Sequence, residues 1–310
     1  MSEALVRLLT LLDDGGYDFT TVTPETHRRV LERRAGERAG DLRDVFGWSM
    51  PFERDLLAGP LLDALEEAEA VVSAGNGLLK SRLRVSSLAG HLFLHSAYPT
   101  TDADAVFFGP DTYRFARFLE SELGHLEGDI QHLVDLGSGS GAGGITAHGL
   151  VQPVLTTLTD TNRAALQLAT VNAAAADVEV NLVQGSLDAV SGPIDLMIAN
   201  PPYIADPLGR DYRDGGGALG TGISLEWALA GAQRLEAGGT MLLYTGVPIV
   251  EGEDQLLAAL ADGLEEAGCT LRYEELDPDV FGEELDQDPY RQAGVERIAA
   301  VGAVIVKDAL

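Results

Sequence analysis

Residues 132–141 join a short apolar run to an acid and three glycines at every second position. The run is short and bounded by glycines, which is typical of a buried strand in a parallel sheet. The glycines allow the backbone to turn sharply and to approach a ligand where a Cβ would clash. Residues 142–150 can then begin a helix whose free N–H groups face the same crevice. Strand, glycine turn and helix together predict the start of a nucleotide-binding α/β fold.

A second polar motif, Asn200-Pro201-Pro202-Tyr203, follows another short apolar run at residues 196–199. Ligands in open α/β sheets bind outside the carboxyl ends of the strands, so both motifs are predicted to border one crevice. The glycine spacing alone is weak evidence. It departs from the dinucleotide pattern G-x-G-x-x-G, although Gly144 supplies a late glycine. A nicotinamide-dependent dehydrogenase is therefore an alternative that the glycine spacing disfavours.

Together, the two motifs resemble those of class I methyltransferases that use S-adenosylmethionine. Asp135-x-Gly137-x-Gly139-x-Gly141 is similar to their glycine turn, and Asn200-Pro201-Pro202-Tyr203, the NPPY motif, resembles the subset that methylates planar nitrogens. That subset includes the release-factor glutamine methyltransferases of the "methyltransferase small domain" family. It also includes enzymes that act on exocyclic amino groups of adenine or guanine in rRNA, tRNA or DNA.

The resemblance covers roughly residues 105–310 and implies the fold and the cofactor. The implied fold is α/β, a doubly wound, seven-stranded, mostly parallel Rossmann-like sheet with a reversed last strand, and the implied cofactor is S-adenosylmethionine. Apolar runs alternating with helical patterns independently predict a parallel sheet with right-handed crossovers. The predicted strands are 133–136, 154–158, 178–183, 196–199, 240–244, 271–275 and 298–307, and the predicted helices include 163–174, 224–234 and 253–267.

Residues 1–104 are predicted to form a smaller, mainly helical domain for substrate recognition, and residues 105–310 the S-adenosylmethionine-binding catalytic domain. Thr23 can cap a helix with Pro24 at its first position. A turn at residues 74–77 precedes a strand predicted over 79–85 and another over 91–95. The helical stripe of the first segment consists of Leu5, Leu8, Leu9 and Leu12.

Helices followed by a small hairpin indicate a winged-helix-like unit. Such units bind DNA in some proteins and pack or recognise a partner in others, and we favour packing or protein recognition here. A nucleic-acid role stays open because the unit carries several cations. They are Arg33, Arg34, Lys80, Arg82 and Arg84.

The net charge of −28, from 49 acidic against 21 basic residues, disfavours a long nucleic acid as partner. Such a surface repels a phosphate backbone, and affinity for nucleic acid is built largely on cationic contacts. The charge therefore favours a protein substrate over RNA or DNA. Adaptation to salt or a compositional bias of the genome would also produce this surface, without any bearing on the partner.

Cysteine content, apolar runs and the N-terminus together predict a cytoplasmic protein. The single cysteine, Cys269, excludes an intrachain disulfide and a cysteine-cluster metal site. No apolar run approaches the ~20 residues of a membrane span. Residues 1–4 lack the basic start of a signal peptide. The six histidines show no metal-ligand spacing, so no metal site is predicted.

Asp160 is the principal candidate for binding the cofactor ribose. It ends a predicted strand about 20 residues past the glycine turn, where a carboxylate can accept both ribose hydroxyls. The alternative is that Asp160 caps the next helix. Ser186 departs from the acid that many relatives carry for the adenine amino group, and Asp188 lies two residues on. The cofactor-binding residues implied by the resemblance are Asp135, Gly137, Ser138, Gly139, Gly141, Asp160, Thr161, Ser186, Leu187 and Asn200.

The NPPY motif supplies the predicted catalytic residues, Asn200, Pro201, Pro202 and Tyr203. The resemblance implies that the Asn200 side-chain oxygen and the Pro201 carbonyl each accept an N–H of the acceptor, which is catalysis by orientation. Tyr203 can stack on the planar group. The alternative is an Asn-Pro turn after a strand. Another alternative is a non-catalytic protein that binds the cofactor, a nucleic acid or a partner. The intact Asn200 and Tyr203 argue against it.

Two further stretches are expected to border the site. The proline-containing stretch 106–112 is similar to one beside the cofactor pocket of glutamine methyltransferases, and a helix cap with aromatic core residues is the alternative. Residues 211–217 are expected to form a mobile loop over the site. Within that loop Arg213 is a candidate clamp for a carboxylate or phosphate.

Overall fold

A computed structural model describes residues 2–126, 128–206, 213–217 and 219–309. The strands in this part of the chain are β1 Val71–Gly75, β2 Leu78–Ser81, β3 Leu83–Leu88, β4 His91–Ser96, β5 His132–Leu136, β6 Leu155–Asp160, β7 Asn181–Gln184, β8 Ile194–Ala199, β9 Leu235–Val250, β10 Glu253–Asp254, β11 Cys269–Asp277 and β12 Val295–Lys307. The helices are α1 Ser2–Asp14, α2 Pro24–Arg33, α3 Leu42–Phe46, α4 Gly59–Glu67, α5 Pro110–Leu123, α6 Ala142–Val151, α7 Arg163–Ala175, α8 Gly222–Arg234, α9 Gln255–Glu266 and α10 Asp288–Ala293.

The central sheet has the order β7-β6-β5-β8-β9-β12-β11, and the short β10 pairs with β9. Strands β5 to β9 pair in parallel, whereas β12 runs antiparallel to both β9 and β11. The predicted mostly parallel sheet with a reversed last strand is therefore confirmed. Within the described residues, the seven strands of this order match the predicted number, and the two-residue β10 adds a short pairing at β9.

Helices cover both faces of the sheet, and successive strand residues serve opposite faces. Leu133 and Leu196 face α5, whereas their neighbours Val134 and Met197 face α8 and α9. This alternation is the two-residue period of a strand, and here both sets are apolar because both faces are covered. Each fully buried aliphatic side chain contributes about 1.5–3 kcal/mol. The two hydrophobic clusters, one on each face of the sheet, hold the ends of the strands in place.

The N-terminal part differs from the prediction in its strands. Helix α1 buries Leu5, Leu8, Leu9 and Leu12 as predicted, and the Thr23 hydroxyl accepts the Thr26 N–H at 3.1 Å as the predicted cap. A single strand over residues 79–85 is wrong. The chain breaks at Arg82, whose N–H donates to the Ala70 carbonyl, and forms two separate hairpins, β1–β2 and β3–β4.

Hydrogen bonds tie the second hairpin to α7 and to the glycine turn. The Asn172 side chain on α7 accepts the Leu94 N–H at 2.8 Å and donates to the Leu94 carbonyl at 3.0 Å. It also donates to the Ser140 carbonyl in the glycine turn at 2.8 Å. Strand β4 is thus fastened beside the turn. The division at residues 104 and 105 and the winged-helix interpretation stay predictions.

Three of the five N-terminal cations are engaged within the protein. Arg84 is buried and donates from Nε to the Ser96 carbonyl, and Lys80 donates to the Tyr98 carbonyl at 2.9 Å. Arg34 pairs with Asp44. The other two, Arg33 and Arg82, are exposed. In the described part of the chain, no helix has both the length and the apolar character needed to cross a membrane.

Candidate active site

A cavity of about 570 Å³ opens at the carboxyl ends of β5, β6 and β8, and both sequence motifs line it. Two of the predicted site residues, Gly141 and Leu187, do not line the cavity. Gly141 caps α6 with φ +80°, and Leu187 is buried in the core. The predicted site residues that do line the cavity are Asp135, Gly137, Ser138, Gly139, Asp160, Thr161, Ser186, Asn200, Pro201, Pro202 and Tyr203.

The glycine turn forms a cradle that a side chain would fill. Gly139 has φ +54°, and a Cβ there would meet nothing within 4 Å. Gly137 has φ +71°, and its Cβ would come within 2.5 Å of the Trp227 indole, which α8 places over the turn. Between them, the Ser138 hydroxyl is buried with no hydrogen-bond partner among the described residues. The turn therefore offers an open backbone surface and an unsatisfied hydroxyl.

Asp135 is buried beneath the turn, where its carboxylate accepts the Gly144 N–H in the first turn of α6 at 2.7 Å. Burial raises the pKa of Asp135 from 3.8 to about 7, an effect that the Gly144 N–H opposes and the nearby Asp160 charge reinforces. This contact ties Asp135 to the start of α6, directly after the glycine turn.

Asp160 closes the opposite side of the turn. Its Oδ2 accepts the Gly139 N–H at 2.9 Å, and its Oδ1 accepts the Asn162 N–H at 2.8 Å. The alternative that Asp160 caps the next helix is wrong, because Asn162 is the cap of α7 and accepts the Ala164 N–H at 2.9 Å. A carboxylate can accept up to about four hydrogen bonds, which is the chemistry that hydroxyl donors require.

Asn200 stands partly exposed at the end of β8, in the same cavity. Both Asn200 and Pro201 line the cavity, and among the described residues neither the Asn200 side chain nor the Pro201 carbonyl has a hydrogen-bond partner. A purely structural Asn-Pro turn would not need unpaired acceptor oxygens beside a cavity.

Tyr203 is held by a buried carboxylate that the sequence reasoning missed. Its hydroxyl donates to Asp111, which also accepts the Tyr244 hydroxyl at 2.9 Å and Arg114 at 3.2 Å. The ring occupies the space left by Gly246, where a Cβ would come within 2.2 Å. Burial raises the pKa of Asp111 and that of Tyr203, so the phenol stays neutral. The ring is fixed rather than free to turn.

Asp111 belongs to the proline-containing stretch that was expected beside the site, and that expectation is confirmed. Val106, Phe107, Asp111 and Thr112 all line the cavity, although Asp111 itself was not selected as a site residue. The proline in the stretch was the available signal. Trp227 on α8 had no signal of this kind, since one tryptophan in a helical pattern is typical of a core residue.

The expected loop over the site is described only in part. Asp211 and Tyr212 lie outside the described residues. Arg213 lines the cavity, but it pairs with Glu284 and lies 3.9 Å from Asp206. Its charge is balanced within the protein, and the predicted clamp stays a prediction. A search of the described residues finds no cluster of three His, Cys, Asp or Glu that could hold a metal.

Comparison with known proteins identifies the family. The family model "Methyltransferase small domain" matches residues 114–213. A release factor glutamine methyltransferase of Deinococcus radiodurans is 30% identical over 215 residues, which cover 66% of this chain and 73% of that protein. The chain belongs to this family of S-adenosylmethionine-dependent methyltransferases. A second release factor glutamine methyltransferase, from Chlorobaculum tepidum, is 31% identical over 155 residues, 46% of this chain and about half (52%) of that relative.

Solved structures agree on the fold. A putative transferase from Pyrococcus horikoshii has a TM-score of 0.51 at 11% identity, over 80% of this chain and 83% of that chain. Trm5b from Pyrococcus abyssi also has a TM-score of 0.51, at 14% identity, over 76% and 62%. At these identities the likeness concerns the Rossmann-like fold alone.

The family's cofactor, S-adenosylmethionine, fits the residues present. The unpartnered Ser138 hydroxyl and the open face of Gly139 provide a polar surface on one side of the cavity. The Asp160 carboxylate provides hydrogen-bond acceptors beside it. The protein is therefore an S-adenosylmethionine-dependent methyltransferase.

Proposed function

We propose that the enzyme methylates the side-chain nitrogen of a protein glutamine, and that a peptide-chain release factor is the substrate. One observation carries this proposal. The NPPY motif lies at the end of β8, in the same cavity as the glycine turn, with the Asn200 side chain unpaired among the described residues. The two curated relatives, both named release factor glutamine methyltransferase, support it.

The chemistry needs orientation more than a strong base. An amide nitrogen is a poor nucleophile because its lone pair is delocalised into the carbonyl. Hydrogen bonds from its two N–H groups to the Asn200 Oδ1 and the Pro201 carbonyl would aim the lone pair across the cavity. Prolines at 201 and 202 fix the backbone and bring no competing N–H donor. When bound, S-adenosylmethionine supplies the electrophilic methyl group.

The remaining site residues are proposed to divide between cofactor and acceptor. Ser138, Gly139 and Asp160 would hold the cofactor, while Asp135 and Gly141 would support the turn from beneath. Tyr203, fixed by Asp111, would present its ring to the flat carboxamide. The other proposed cofactor contacts are Gly137, Thr161 and Ser186, and Leu187 would act through the core behind them.

A nucleobase acceptor is the second candidate and is less well supported. The net charge is −28, and Arg34, Lys80 and Arg84 are engaged inside the N-terminal part. We further propose that residues 1–104 form the recognition domain for a protein substrate. A substrate of this class is consistent with the cytoplasmic location predicted from the sequence.

The test is a methylation assay that offers both substrate classes. The full-length enzyme and labelled S-adenosylmethionine are incubated with purified Deinococcus radiodurans release factor, and separately with total RNA. We expect label in the release factor, which peptide mass spectrometry then assigns to a glutamine. A release factor whose glutamine is replaced by alanine at the modified position is the control. Label in RNA alone would overturn the proposal.

A further inference from the structure

The chain between β11 and β12, residues 278–294, is longer than the fold requires. Neighbouring antiparallel strands can be joined by two residues, yet this β11–β12 connection contains a 3-10 helix, Gly282–Asp286, and α10. It joins the end of β11 to the start of β12, and therefore lies at the carboxyl edge of the parallel strands, where ligands bind. It also lies outside residues 114–213, which the family model matches.

The connection turns back onto the chain that follows the NPPY motif. The Tyr290 hydroxyl, on a side chain only 1% exposed, accepts the Ala205 N–H at 2.8 Å. Glu284, also buried, pairs with Arg213. These two contacts reach separate points of the same region, one two residues after Tyr203 and one at residue 213. The connection thus braces the part of the cavity that carries the NPPY motif.

Phe281 brings the connection into the cavity itself. Its ring lines the cavity, with a centroid 6.1 Å from that of Tyr203. Its backbone has φ +53°, a left-handed conformation that is an outlier for a bulky aromatic residue. Such a conformation costs about 1–3 kcal/mol and persists only where the surroundings impose it, commonly at functional sites. The strain lies in the backbone at Phe281, and this backbone conformation places the ring beside Tyr203 at the cavity.

We propose that the β11–β12 connection is the acceptor-side wall of the cavity and that Phe281 is a specificity-determining residue for the methyl acceptor. This inference rests on the proposed function. The proposed cofactor contacts follow β5, β6 and β7, on the far side of β8 from β12 in the sheet order, so Phe281 belongs to the acceptor side. Glu284 balances the charge of Arg213. The wall therefore offers a ring face beside a neutralised cation, which suits an uncharged carboxamide better than a phosphate.

The experiment compares Phe281→Ala with Val280→Ala in the full-length enzyme. Val280 is the adjacent residue and is buried, but it does not line the cavity. With D. radiodurans release factor as acceptor, we expect Phe281→Ala to raise the KM for the release factor by about tenfold, the effect of losing an aromatic contact. The Kd for S-adenosylmethionine, measured by calorimetry, should stay within about twofold. Val280→Ala should lower the melting temperature and leave that KM unchanged.

A third variant separates function from packing. Phe281→Gly removes the ring and relieves the left-handed strain, so it should melt at a higher temperature than Phe281→Ala while showing the same raised KM. An unchanged KM in Phe281→Ala, or an equal loss of cofactor affinity, would overturn the inference. If the wild type labels RNA or another protein instead, the proposed function fails, and the same variants on that acceptor still decide the role of Phe281. No labelled acceptor in protein and RNA fractions of a cell extract would overturn both proposals.

Discussion

Asn200 is expected to serve the chemical step rather than cofactor binding. Its side chain has no partner among the described residues, so Asn200→Ala removes an acceptor without exposing a broken contact. Losing one oriented hydrogen bond in a reaction that depends on alignment should slow turnover on the order of 10²-fold. Single-turnover methyl transfer at saturating cofactor measures this. Asn181→Ala, on the edge strand β7 and outside the cavity, is the matched control.

Equal single-turnover rates for wild type and Asn200→Ala would show that Asn200 is a turn residue.

A second variant at the same position tests the effect of charge on cofactor binding. Asn200→Asp keeps an acceptor oxygen but adds a negative charge beside the sulfonium, and should therefore hold the cofactor more tightly while still turning over slowly.

Asp160, unlike Asn200, is expected to serve cofactor binding rather than the chemical step. Asp160→Ala removes a carboxylate that accepts the Gly139 N–H and is proposed to accept the ribose hydroxyls. Leaving those donors unpaired should weaken S-adenosylmethionine binding by about 1–3 kcal/mol. Calorimetry with S-adenosylmethionine and with NAD checks both the size and the specificity. Tight NAD binding, or an unaffected Kd, would contradict the assignment.

Asp135 should make stability depend on pH. Its pKa is about 7 in the folded protein and near its ordinary 3.8 in the unfolded chain. Between these values the folded state holds a proton that the unfolded state has lost, so the free energy of unfolding contributed by Asp135 falls as pH rises towards 7. Denaturant titrations at about pH 5 and about pH 8 should show a smaller pH effect in Asp135→Asn than in wild type. Identical pH dependence would contradict the raised pKa.

Residues that follow strands could be predicted from the sequence, and residues from remote elements could not. Asp160 and Asn200 each follow an apolar run, and the geometry of parallel sheets then brings them together. Asp111 meets Tyr203 from 92 positions away; the sequence placed its stretch beside the site, but no local pattern paired its carboxyl group with the Tyr203 hydroxyl. Trp227 and Phe281 reach the cavity by tertiary packing in the same way. Sequence patterns therefore predict the site residues at the strand ends better than those contributed by elements remote in sequence.

Strand lengths show a similar limit. The apolar run at residues 240–244 predicted the centre of β9, but the strand continues to Val250 because β12 pairs with it along that length. Conversely, a strand was predicted from Val178, yet β7 starts at Asn181. Val178 and Val180 pack beside α7 instead of pairing. Apolar runs mark buried chain, and only the partner strand determines how much of it is β-structure.

The segment after the NPPY motif depends on close backbone packing. Ile204 donates its N–H to the Arg213 carbonyl at 3.0 Å, and Gly215 donates to the Ile204 carbonyl at 2.9 Å. A Cβ on Gly215 would lie 1.8 Å from the Gly220 carbonyl oxygen and 2.5 Å from the Tyr203 Cα. Gly215→Ala must therefore displace backbone beside the proposed catalytic residues, which is more costly than moving the end of a side chain.

We expect Gly215→Ala to lower the melting temperature and to slow methyl transfer, because Tyr203 shifts. Gly59→Ala is the control, since a Cβ there meets nothing within 4 Å and its φ is not positive. That change should be neutral or slightly stabilising through loss of freedom in the unfolded chain. Thermal melts and single-turnover rates of both variants provide the comparison. A Gly215→Ala enzyme with wild-type stability would show that the two backbones can separate freely.

Acidic residues dominate the chain, and ion pairs account for much of the small basic complement. Beyond Arg34, the helix α2 arginines Arg28 and Arg29 pair with Glu25, and Arg114 pairs with Asp277. Exposed pairs of this kind contribute little stability, about 0–1 kcal/mol each. Their larger consequence is that they reduce the positive potential available to an incoming polyanion.

The enzyme should therefore bind generic RNA weakly at physiological salt. With a net charge of −28 and three of the five N-terminal cations engaged, a phosphate backbone meets a surface poor in cations that could displace its counterions. Filter binding with total RNA and with a generic duplex should give dissociation constants above about 1 μM, the non-specific range. Calorimetry with release factor should show tighter binding. A sub-micromolar complex with bulk RNA that weakens steeply with salt would reverse the ranking of acceptors, because such a slope counts phosphate contacts that this charge distribution should not permit.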